Sequence, residues 1–402
     1  MTDYKALYAK KLISAEELAK QVESGWILGM DTAPSQAPAI MNAIAARVKS
    51  SDIKGVQVQT LLDAYPFEFY TDPDMFGKMT GYSWFSSGYA RKAINGGWAD
   101  LLPTYYRDIP RHIRAEYEYD AFCIEVSPMD SHGYFSLALN GSYAEAMIDK
   151  AKRVFVEVNE NQPRCLCGTQ LHVSQVDAIV EYNHELPVLP PVAIDEVSQT
   201  IGNLIAEQIP DGACIQLGIG AIPDATGMAL KSKHDLGIHT EMFTDSMVEL
   251  IECGAVNNSK KQIHRGKSVT TFAYGSKRIY DYVDDNPAIE ILPVDYVNNP
   301  EVICKNDNMI SINAAIEVDF FGQVCAESVG TKHMSGSGGQ IDFVRGACQS
   351  KGGKSFIAFT STAKGGTISK IKPILTPGAV CTTSKNDVDY IVTEYGIAHM
   401  RG

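Results

Sequence analysis

Two segments of the chain follow the same pattern, and this repetition limits the folds that are possible. Residues 12–25 read as a helix begun by a serine and a turn ending in glycine, followed by an apolar strand, and residues 197–212 read the same way. A D-x-x-G turn begins 105 residues after the first glycine, at Asp130, and 107 residues after the second, at Asp319. The agreement of the two spacings indicates an internal duplication.

The two halves are each predicted to alternate buried strands with helices. Residues 151–158 and 354–359 are short apolar runs, typical of strands that are covered on both faces. The 402 residues, 45% of them hydrophobic, exceed what one core normally holds. We therefore predict an α/β fold of two similar domains with largely parallel sheets. A proline-rich connector places the boundary near Pro191, between domains at residues 1–191 and 192–402.

A glycine-rich turn connects one predicted strand to the helix that follows it. Residues 215–225 read as an apolar strand, the pattern G-x-G-x-x-P, and a helix with Pro223 near its start. Such a turn presents backbone N–H groups to an anion. A dinucleotide-binding fingerprint needs glycine or alanine where Pro223 stands, so a nicotinamide-dependent oxidoreductase is a disfavoured alternative. An ordinary strand-to-helix turn remains open.

Residues 237–245 place the carboxylate of Glu241 in a mostly uncharged segment just downstream of this turn. Taken alone, Glu241 is most simply a hydrogen-bond acceptor at the end of a strand. Together with the turn, it predicts a nucleophile beneath backbone donors, the arrangement that acyl transfer requires. The candidates for oxyanion and substrate contacts are Gln216, Gly218, Ile219, Gly220 and Ala221. An ordinary structural role for Gln216 is equally open.

A second glycine cluster occupies residues 335–347. Glycine lets a backbone approach a ligand closely. Composition alone predicts a flexible loop, but the glycines run straight into Gln-Ile-Asp-Phe-Val-Arg-Gly-Ala, which is not typical of a linker. We expect Asp342 and Arg345 to form an ion pair within this segment. The residues predicted to contact a ligand are Gly336, Gly338, Gly339 and Gln340.

Further motifs accompany these segments: S-P-M-D-S-H-G-Y-F at 127–135, V-E-V-N-E-N-Q-P at 156–163, H-T-E-M at 239–242 and V-T-E-Y-G-I-A at 392–398. Together they resemble the acetyl-CoA hydrolase/transferase family, in particular its butyryl-CoA:acetate and 4-hydroxybutyrate CoA-transferase branch. The resemblance covers nearly the whole chain. It implies the CoA-transferase fold, with the active site in the interdomain cleft and coenzyme A bound by the second glycine cluster.

The resemblance also implies a reaction, the transfer of coenzyme A between 4-hydroxybutyryl-CoA or butyryl-CoA and acetate. Glu241 would carry CoA as a glutamyl thioester in a ping-pong mechanism, with N–H groups of both glycine-rich segments stabilising the oxyanions. Coenzyme A is then a substrate, and no permanently bound cofactor is expected. Hydrolysis of a short-chain acyl-CoA is the alternative. A non-catalytic acyl-CoA-binding protein is more remote, because it would be expected to have lost Glu241.

Two departures from the family pattern are visible. Ser246 follows Asp245 where the family usually has glycine, which would stiffen the turn beyond the nucleophile. Family members usually continue for several tens of residues past the position of Arg401. Whether this chain continues is left open by the printed sequence.

Charge and residue usage limit the expected partners. A net charge of −13 disfavours nucleic acid and anionic membranes as partners. It would repel coenzyme A as well, so a CoA site must be built locally from N–H groups and a few cationic side chains. The nine histidines form no H-E-x-x-H motif, and no metal site is expected.

The predicted compartment is the cytoplasm. The nine cysteines show no disulfide framework, and the first residues lead into a charged amphipathic helix instead of a signal sequence. A homo-oligomer, dimer or tetramer, is expected from the family resemblance alone.

Overall fold

The computed structural model describes residues 3–166 and 168–401. Its first half is built on a parallel sheet covered by helices. The strands, in spatial order, are Asp100–Leu101, Met79–Ser83, Val56–Thr60, Ile27–Met30, Ala121–Val126, Val154–Val158 and Ala178–Glu181. The helices are Tyr4–Lys11, Ala15–Ala19, Pro38–Lys49, Glu68–Thr71, Ala90–Gly96, Ile109–Glu116 and Ala144–Lys150.

The second half repeats this plan around a second sheet. Its strands, in spatial order, are Gly237–Ile238, Cys214–Leu217, Met309–Ala314, Lys354–Ala358, Tyr390–Thr393 and Gly396–His399, and only the last pairing is antiparallel. The helices are Glu196–Glu207, Ala221–Ala229, Asp245–Glu252, Lys277–Val283, Val294–Val297, Pro300–Ile303 and Gln340–Gln349. Two short parallel pairs extend the region around Glu241: Met242–Phe243 with Phe272–Ala273, and Ser268–Thr270 with Ile289–Ile291.

The remaining short strands and turns of helix lie at the margins of the two sheets. The strands are Tyr134–Ser136, Gln170–His172, Glu317–Asp319, Val324–Cys325, Ser328–Val329, Lys332–His333, Thr362–Ala363, Ile368–Ser369 and Ile371–Lys372. Single turns of 3-10 helix are Pro73–Met75, Tyr106–Asp108, Val173–Gln175 and Leu230–Ser232.

Strand order confirms the duplication predicted from the sequence. Five strands of each half, counted along the chain, have the same spatial order 2-1-3-4-5. They begin at residues 27, 56, 121, 154 and 178 in the first half and at 214, 237, 309, 354 and 390 in the second. This is a doubly wound order, in which ligands bind where the strand order reverses, beyond the carboxyl ends of strands 1 and 3.

The paired D-x-x-G turns confirm the duplication at the level of hydrogen bonds. In each turn the aspartate Oδ1 accepts from the backbone N–H groups two and four residues later, at 2.8 Å each for Asp130 and at 3.0 and 2.9 Å for Asp319. The closing glycines, Gly133 and Gly322, have φ values of +86° and +84°. This left-handed conformation suits glycine, so the same sequence pattern produces the same turn twice.

One continuous hydrophobic core joins the halves. It includes Phe122 and Ile124 from the first sheet and Ile215, Ile310 and Phe356 from the second, all with no exposed surface. Residues 182–195 contain neither helix nor strand, and the domain boundary near Pro191 stays a prediction. Within the described residues, every helix is too short or too polar to cross a bilayer.

Candidate active site

Glu241 lies between the short strands Gly237–Ile238 and Met242–Phe243, just after strand 2 of the second sheet, and it shares a cavity with the carboxyl ends of strands 1 and 3. Its backbone carbonyl accepts hydrogen bonds from the N–H groups of Thr271 and Phe272, at 3.0 and 3.2 Å, and from Thr270 Oγ1 at 2.9 Å. Three donors thus fix the backbone, while the partly exposed side chain lines a cavity.

The carboxylate of Glu241 is held by two donors. Asn298 Nδ2 donates to Oε2 at 2.6 Å, and the backbone N–H of Gly339 donates to the same carboxylate. Burial raises the pKa of Glu241 from 4.5 to about 7, although both hydrogen bonds act in the opposite direction. The group is therefore poised near neutrality, in the range expected for catalytic carboxyls.

Only glycine fits at position 339. A Cβ there would lie 2.0 Å from Glu241 Oε2 and 2.2 Å from Asn298 Nδ2. The backbone conformation, with φ of −98°, is an ordinary one. The requirement for glycine therefore comes from the space that the carboxylate occupies and not from the backbone.

His239 supports the position of Asn298 from the protein interior. It has no exposed surface, and its Nε2 donates to the backbone carbonyl of Val297 at 2.8 Å, immediately before Asn298. Burial, reinforced by the charge of Lys261, lowers the pKa of His239 to about 3. The imidazole is therefore neutral and holds the turn that presents Asn298.

A cavity of about 310 Å³ lies in front of Glu241, between the two halves. The first half contributes Leu61, Leu62, Phe85 and Tyr106. The second half contributes Gln216, Leu217, Gly218, Ile219, Met242, Phe272, Asn313, Ala314, Ala326, Ser335, Gly336, Ser337, Gly338, Gly339, Gln340 and Phe343. The cavity thus lies between the two halves, and its assignment as the active site stays a prediction.

The G-x-G-x-x-P turn leaves the carboxyl end of strand Cys214–Leu217, as predicted. The N–H of Gly218 donates to the carbonyl of Ile312 at 2.9 Å and so remains part of the sheet. Gly220, with φ of +116°, begins helix Ala221–Ala229, whose first N–H groups have no partners within the helix. Donors for an anion thus come from Ile219 to Ala221, and their catalytic role stays a prediction.

Gln216 is part of a buried polar cluster on the cavity wall. Its Oε1 accepts from Ser311 Oγ at 2.9 Å and from Asn313 Nδ2 at 3.2 Å. Both amide side chains line the cavity. Gln216 therefore presents neutral polar groups beside Glu241, and its contact with substrate stays a prediction.

The second glycine cluster is pressed against the first half. Ser337 Oγ donates to the carbonyl of Thr104 at 2.8 Å, and the N–H of Tyr106 donates to the carbonyl of Gly338 at 3.4 Å. At Gly336 a Cβ would lie 2.8 Å from the carbonyl oxygen of Trp84. The loop is thus packed in place, and its predicted binding of coenzyme A stays a prediction.

The expected ion pair between Asp342 and Arg345 is wrong. Arg107 of the first half donates to the fully buried Asp342, while Arg345 pairs with Asp387 at 3.1 Å through two of its nitrogens. Asp342 sits on the buried face of helix Gln340–Gln349 and meets the other half of the molecule there. Burial raises the pKa of Asp342, and the guanidinium of Arg107 opposes that rise.

Models of two related protein domains match the chain. The acetyl-CoA hydrolase/transferase N-terminal domain matches residues 1–190, and the C-terminal domain of the same family matches residues 275–402. The chain belongs to the acetyl-CoA hydrolase/transferase family.

Relatives within the acetyl-CoA hydrolase/transferase family align over almost the whole chain. The succinyl-CoA:cyclohexane-1-carboxylate CoA transferase of Geobacter metallireducens is 46% identical over 99% of this chain and 90% of its own length. The 4-hydroxybutyrate coenzyme A transferase of Clostridium kluyveri is 44% identical over 100% of this chain and 93% of its own length. The crystal structure of RipA from Yersinia pestis has a TM-score of 0.94 at 38% identity, over 100% of this chain and 93% of RipA.

Some parts of this family member's site were not foreseen from its sequence. Asn298, which donates a hydrogen bond to Glu241, is followed by Asn-Pro and reads as an ordinary turn. Phe85 and Tyr106 come from the first half, more than a hundred residues from Glu241. No local pattern predicts contacts over such separations.

The contact between Arg107 and Asp342 joins the halves beside the glycine loop of this family member. We expect Asp342→Asn to lower kcat several-fold and Tm by a few degrees, because a buried partner of the guanidinium loses its charge. Asp387→Asn, which alters the partly exposed pair with Arg345, is the matched control. We expect it to change kcat and Tm only slightly. Kinetics and thermal unfolding measure both effects, and equal responses of the two variants would contradict a coupling role for Asp342.

We expect Asn298 to set the pH dependence of activity through its hydrogen bond to Glu241. With ionised Glu241 as the predicted nucleophile, kcat/KM should rise with pH through about 7 and level off above it. The Asn298 hydrogen bond lowers that pKa, so Asn298→Ala should move the rise to higher pH and reduce the rate at neutral pH roughly tenfold. A pH profile measures the change. The two enzymes should converge at high pH, and an unshifted profile would contradict the assignment.

Proposed function

We propose that the chain transfers coenzyme A between a short-chain acyl-CoA, 4-hydroxybutyryl-CoA or butyryl-CoA, and acetate. Relatives that are 44–46% identical are named CoA transferases, and the chain is an enzyme of this class. The observation that carries the proposal is the Glu241 carboxylate, held by Asn298 and Gly339 on the wall of the interdomain cavity.

Transfer without another energy source needs a carrier that conserves the thioester bond, and a carboxylate can serve as that carrier. Glu241 attacks the acyl carbonyl carbon, the C–S bond breaks, and an acyl-glutamyl anhydride and CoA thiolate form. The thiolate then attacks the glutamyl carbonyl carbon and releases the first acid as its carboxylate. The enzyme is left as a glutamyl-CoA thioester.

The second half of the reaction runs in reverse with the incoming acid. Its carboxylate attacks the glutamyl carbonyl carbon and expels CoA thiolate, and the thiolate attacks the acyl carbonyl of the new anhydride. Glu241 returns as a carboxylate, and no proton is gained or lost overall. Each tetrahedral intermediate carries an oxyanion, for which the N–H groups of residues 219–221 and 338–339 are the proposed donors, since the N–H of Gln340 donates to the carbonyl of Ser337.

The composition of the cavity wall favours transfer over hydrolysis. Water attacks a thioester or an anhydride efficiently when a general base removes its proton. Among the described residues that line the cavity there is no histidine, aspartate or lysine, and the only carboxylate is Glu241 itself. Once Glu241 carries CoA, no other lining side chain is a base, so an incoming carboxylate, which needs no deprotonation, has the advantage.

The intact mass of the protein tests the proposal. After incubation with butyryl-CoA, we expect a mass increase the size of CoA less water, and added acetate should remove it as acetyl-CoA appears. Loss of the adduct at the same rate without acetate would establish the hydrolase alternative. Absence of an adduct with every short acyl-CoA, together with reversible binding, would favour the non-catalytic alternative.

A further inference from the structure

The wall of the cavity is nearly free of charge. Of the described residues that line it, only Glu241 and Tyr106 carry ionisable groups. Burial and the neighbouring Glu241 raise the pKa of Tyr106 far above its ordinary value, so the phenol is neutral. The large apolar side chains include Leu61, Leu62, Phe85, Met242, Phe272 and Phe343.

The arginine next to Tyr106 does not supply a free positive charge. The guanidinium of Arg107 donates to Asp342 and lies 3.8 Å from Asp108. Apart from Glu241 and Tyr106, the polar side chains of the described residues that line the cavity are uncharged: those of Gln216, Asn313, Ser335, Ser337 and Gln340. The amides of Gln216 and Asn313 bond one another at 3.2 Å. They can hydrogen-bond a hydroxyl or a carbonyl but cannot neutralise a carboxylate.

The chemistry of transfer distinguishes acids with one carboxyl group from acids with two. In a monocarboxylic acid the only charge lies on the group that reacts, and it disappears in the anhydride and the thioester. A dicarboxylic acid keeps its second charge at the far end of the chain throughout. That charge would enter an apolar wall near the carboxylate of Glu241, where burial without a partner is strongly unfavourable.

We propose that this site selects acyl groups with an uncharged far end and rejects those that carry a second carboxylate, of which succinyl is the simplest four-carbon case. The inference rests on the proposed function, since it concerns the acyl group that Glu241 receives. The proposal predicts a difference in acyl donor from the 46% identical Geobacter metallireducens relative, whose name includes succinyl-CoA. A terminal hydroxyl is compatible with the site, because Gln216 and Asn313 can bond it.

Three donors compared with acetate as the common acceptor test the proposal. They are butyryl-CoA, succinyl-CoA and the monomethyl ester of succinyl-CoA, which keeps the chain of the succinyl group without its charge. We expect kcat/KM for succinyl-CoA to be lower than for butyryl-CoA by about 10²-fold or more, and the methyl ester to recover at least about a tenth of the butyryl value. Equal rates for succinyl-CoA and butyryl-CoA would overturn the proposal.

Two further outcomes are separable. If the methyl ester is as poor as succinyl-CoA, shape and not charge decides, and the proposal is wrong. If no donor is transferred, butyryl-CoA included, then the proposed function itself fails. Selection by charge is supported only if the enzyme accepts butyryl-CoA and the methyl ester as donors and does not accept succinyl-CoA.

A charge introduced into the wall gives an independent test. Leu62 lines the cavity and is only partly buried, so an arginine can be accommodated there. We expect Leu62→Arg to raise the ratio of succinyl-CoA to butyryl-CoA turnover by about tenfold or more, and the matched control Leu62→Gln to leave that ratio unchanged. An unchanged ratio in a folded Leu62→Arg enzyme would place the acyl chain elsewhere and count against the proposal. If this variant does not fold, the ester comparison on the unmodified protein still decides.

Discussion

Glu241→Gln is expected to abolish the CoA adduct and to lower the rate of CoA transfer by at least about 10⁴-fold. The amide keeps the shape of the side chain and its contact with Asn298 but is not a nucleophile. The measurement pairs steady-state transfer from butyryl-CoA to acetate with the intact mass of the variant after incubation with butyryl-CoA.

Thermal unfolding provides the control for Glu241→Gln. The folded pKa of about 7 lies above the ordinary 4.5, so ionisation of Glu241 lowers stability progressively between these pH values and fully above them. Glutamine removes that cost, and the variant should have a Tm at about pH 8 equal to or above that of the unmodified protein. An adduct on the variant, or transfer at more than a thousandth of the original rate in this folded protein, would contradict the assignment.

Gly339→Ala is expected to lower kcat by about 10²–10³-fold while the protein remains folded. The new Cβ would stand 2.0 Å from Glu241 Oε2, so the carboxylate must move and its hydrogen bond from Asn298 must lengthen. A displacement of about 1 Å at a reacting group is enough for a loss of this size. The backbone at Gly339 has ordinary dihedrals, so little loss of stability is expected.

Gly88→Ala is the matched control, because a Cβ at Gly88 would have no neighbour within 4 Å. Kinetics and Tm are measured on both variants. The pKa of Glu241 should also rise in Gly339→Ala, as its hydrogen-bond donors are displaced, and the pH profile should move upward with it. Near-normal kcat in Gly339→Ala would show that the carboxylate does not occupy its observed place during the reaction.

The fold was largely predictable because its signals are local. An apolar run such as residues 354–359 predicts a strand over those same residues. The glycine that closes each D-x-x-G turn determines the backbone conformation of that turn alone. The repetition of those signals at matched spacings then predicted two similar halves. The antiparallel strand Gly396–His399, which ends the second sheet, has no counterpart in the first sheet and was not predicted.

The site was predictable only in part because most of its contacts are distant in sequence. Glu241 was identified from its neighbours in the chain, whereas Asn298 and Arg107 act on the site through contacts that no sequence period encodes. The glycines of the second cluster were expected to admit a ligand. At Gly339 the space left by the missing Cβ is occupied by the side chain of Glu241 and not by a ligand. Composition alone does not distinguish these two reasons for a glycine.

The shared core of the two halves determines how substrate reaches the cavity. A rigid rotation that parted the halves would break the hydrogen bonds that Gly141 and Ser142 donate to Thr271. It would also expose the buried rings of Tyr106 and Phe272, which pack against each other across the halves, at a cost that two loosely docked lobes do not meet. Separation of the two halves is therefore not the route by which substrate enters the cavity. The segment of residues 335–339 is packed against the first half through the hydrogen bonds that join Ser337 to Thr104 and Tyr106 to Gly338, so it forms a fixed side of the cavity. The cavity is therefore preorganised, and substrate enters a space whose shape the shared core and the packed glycine loop have already set.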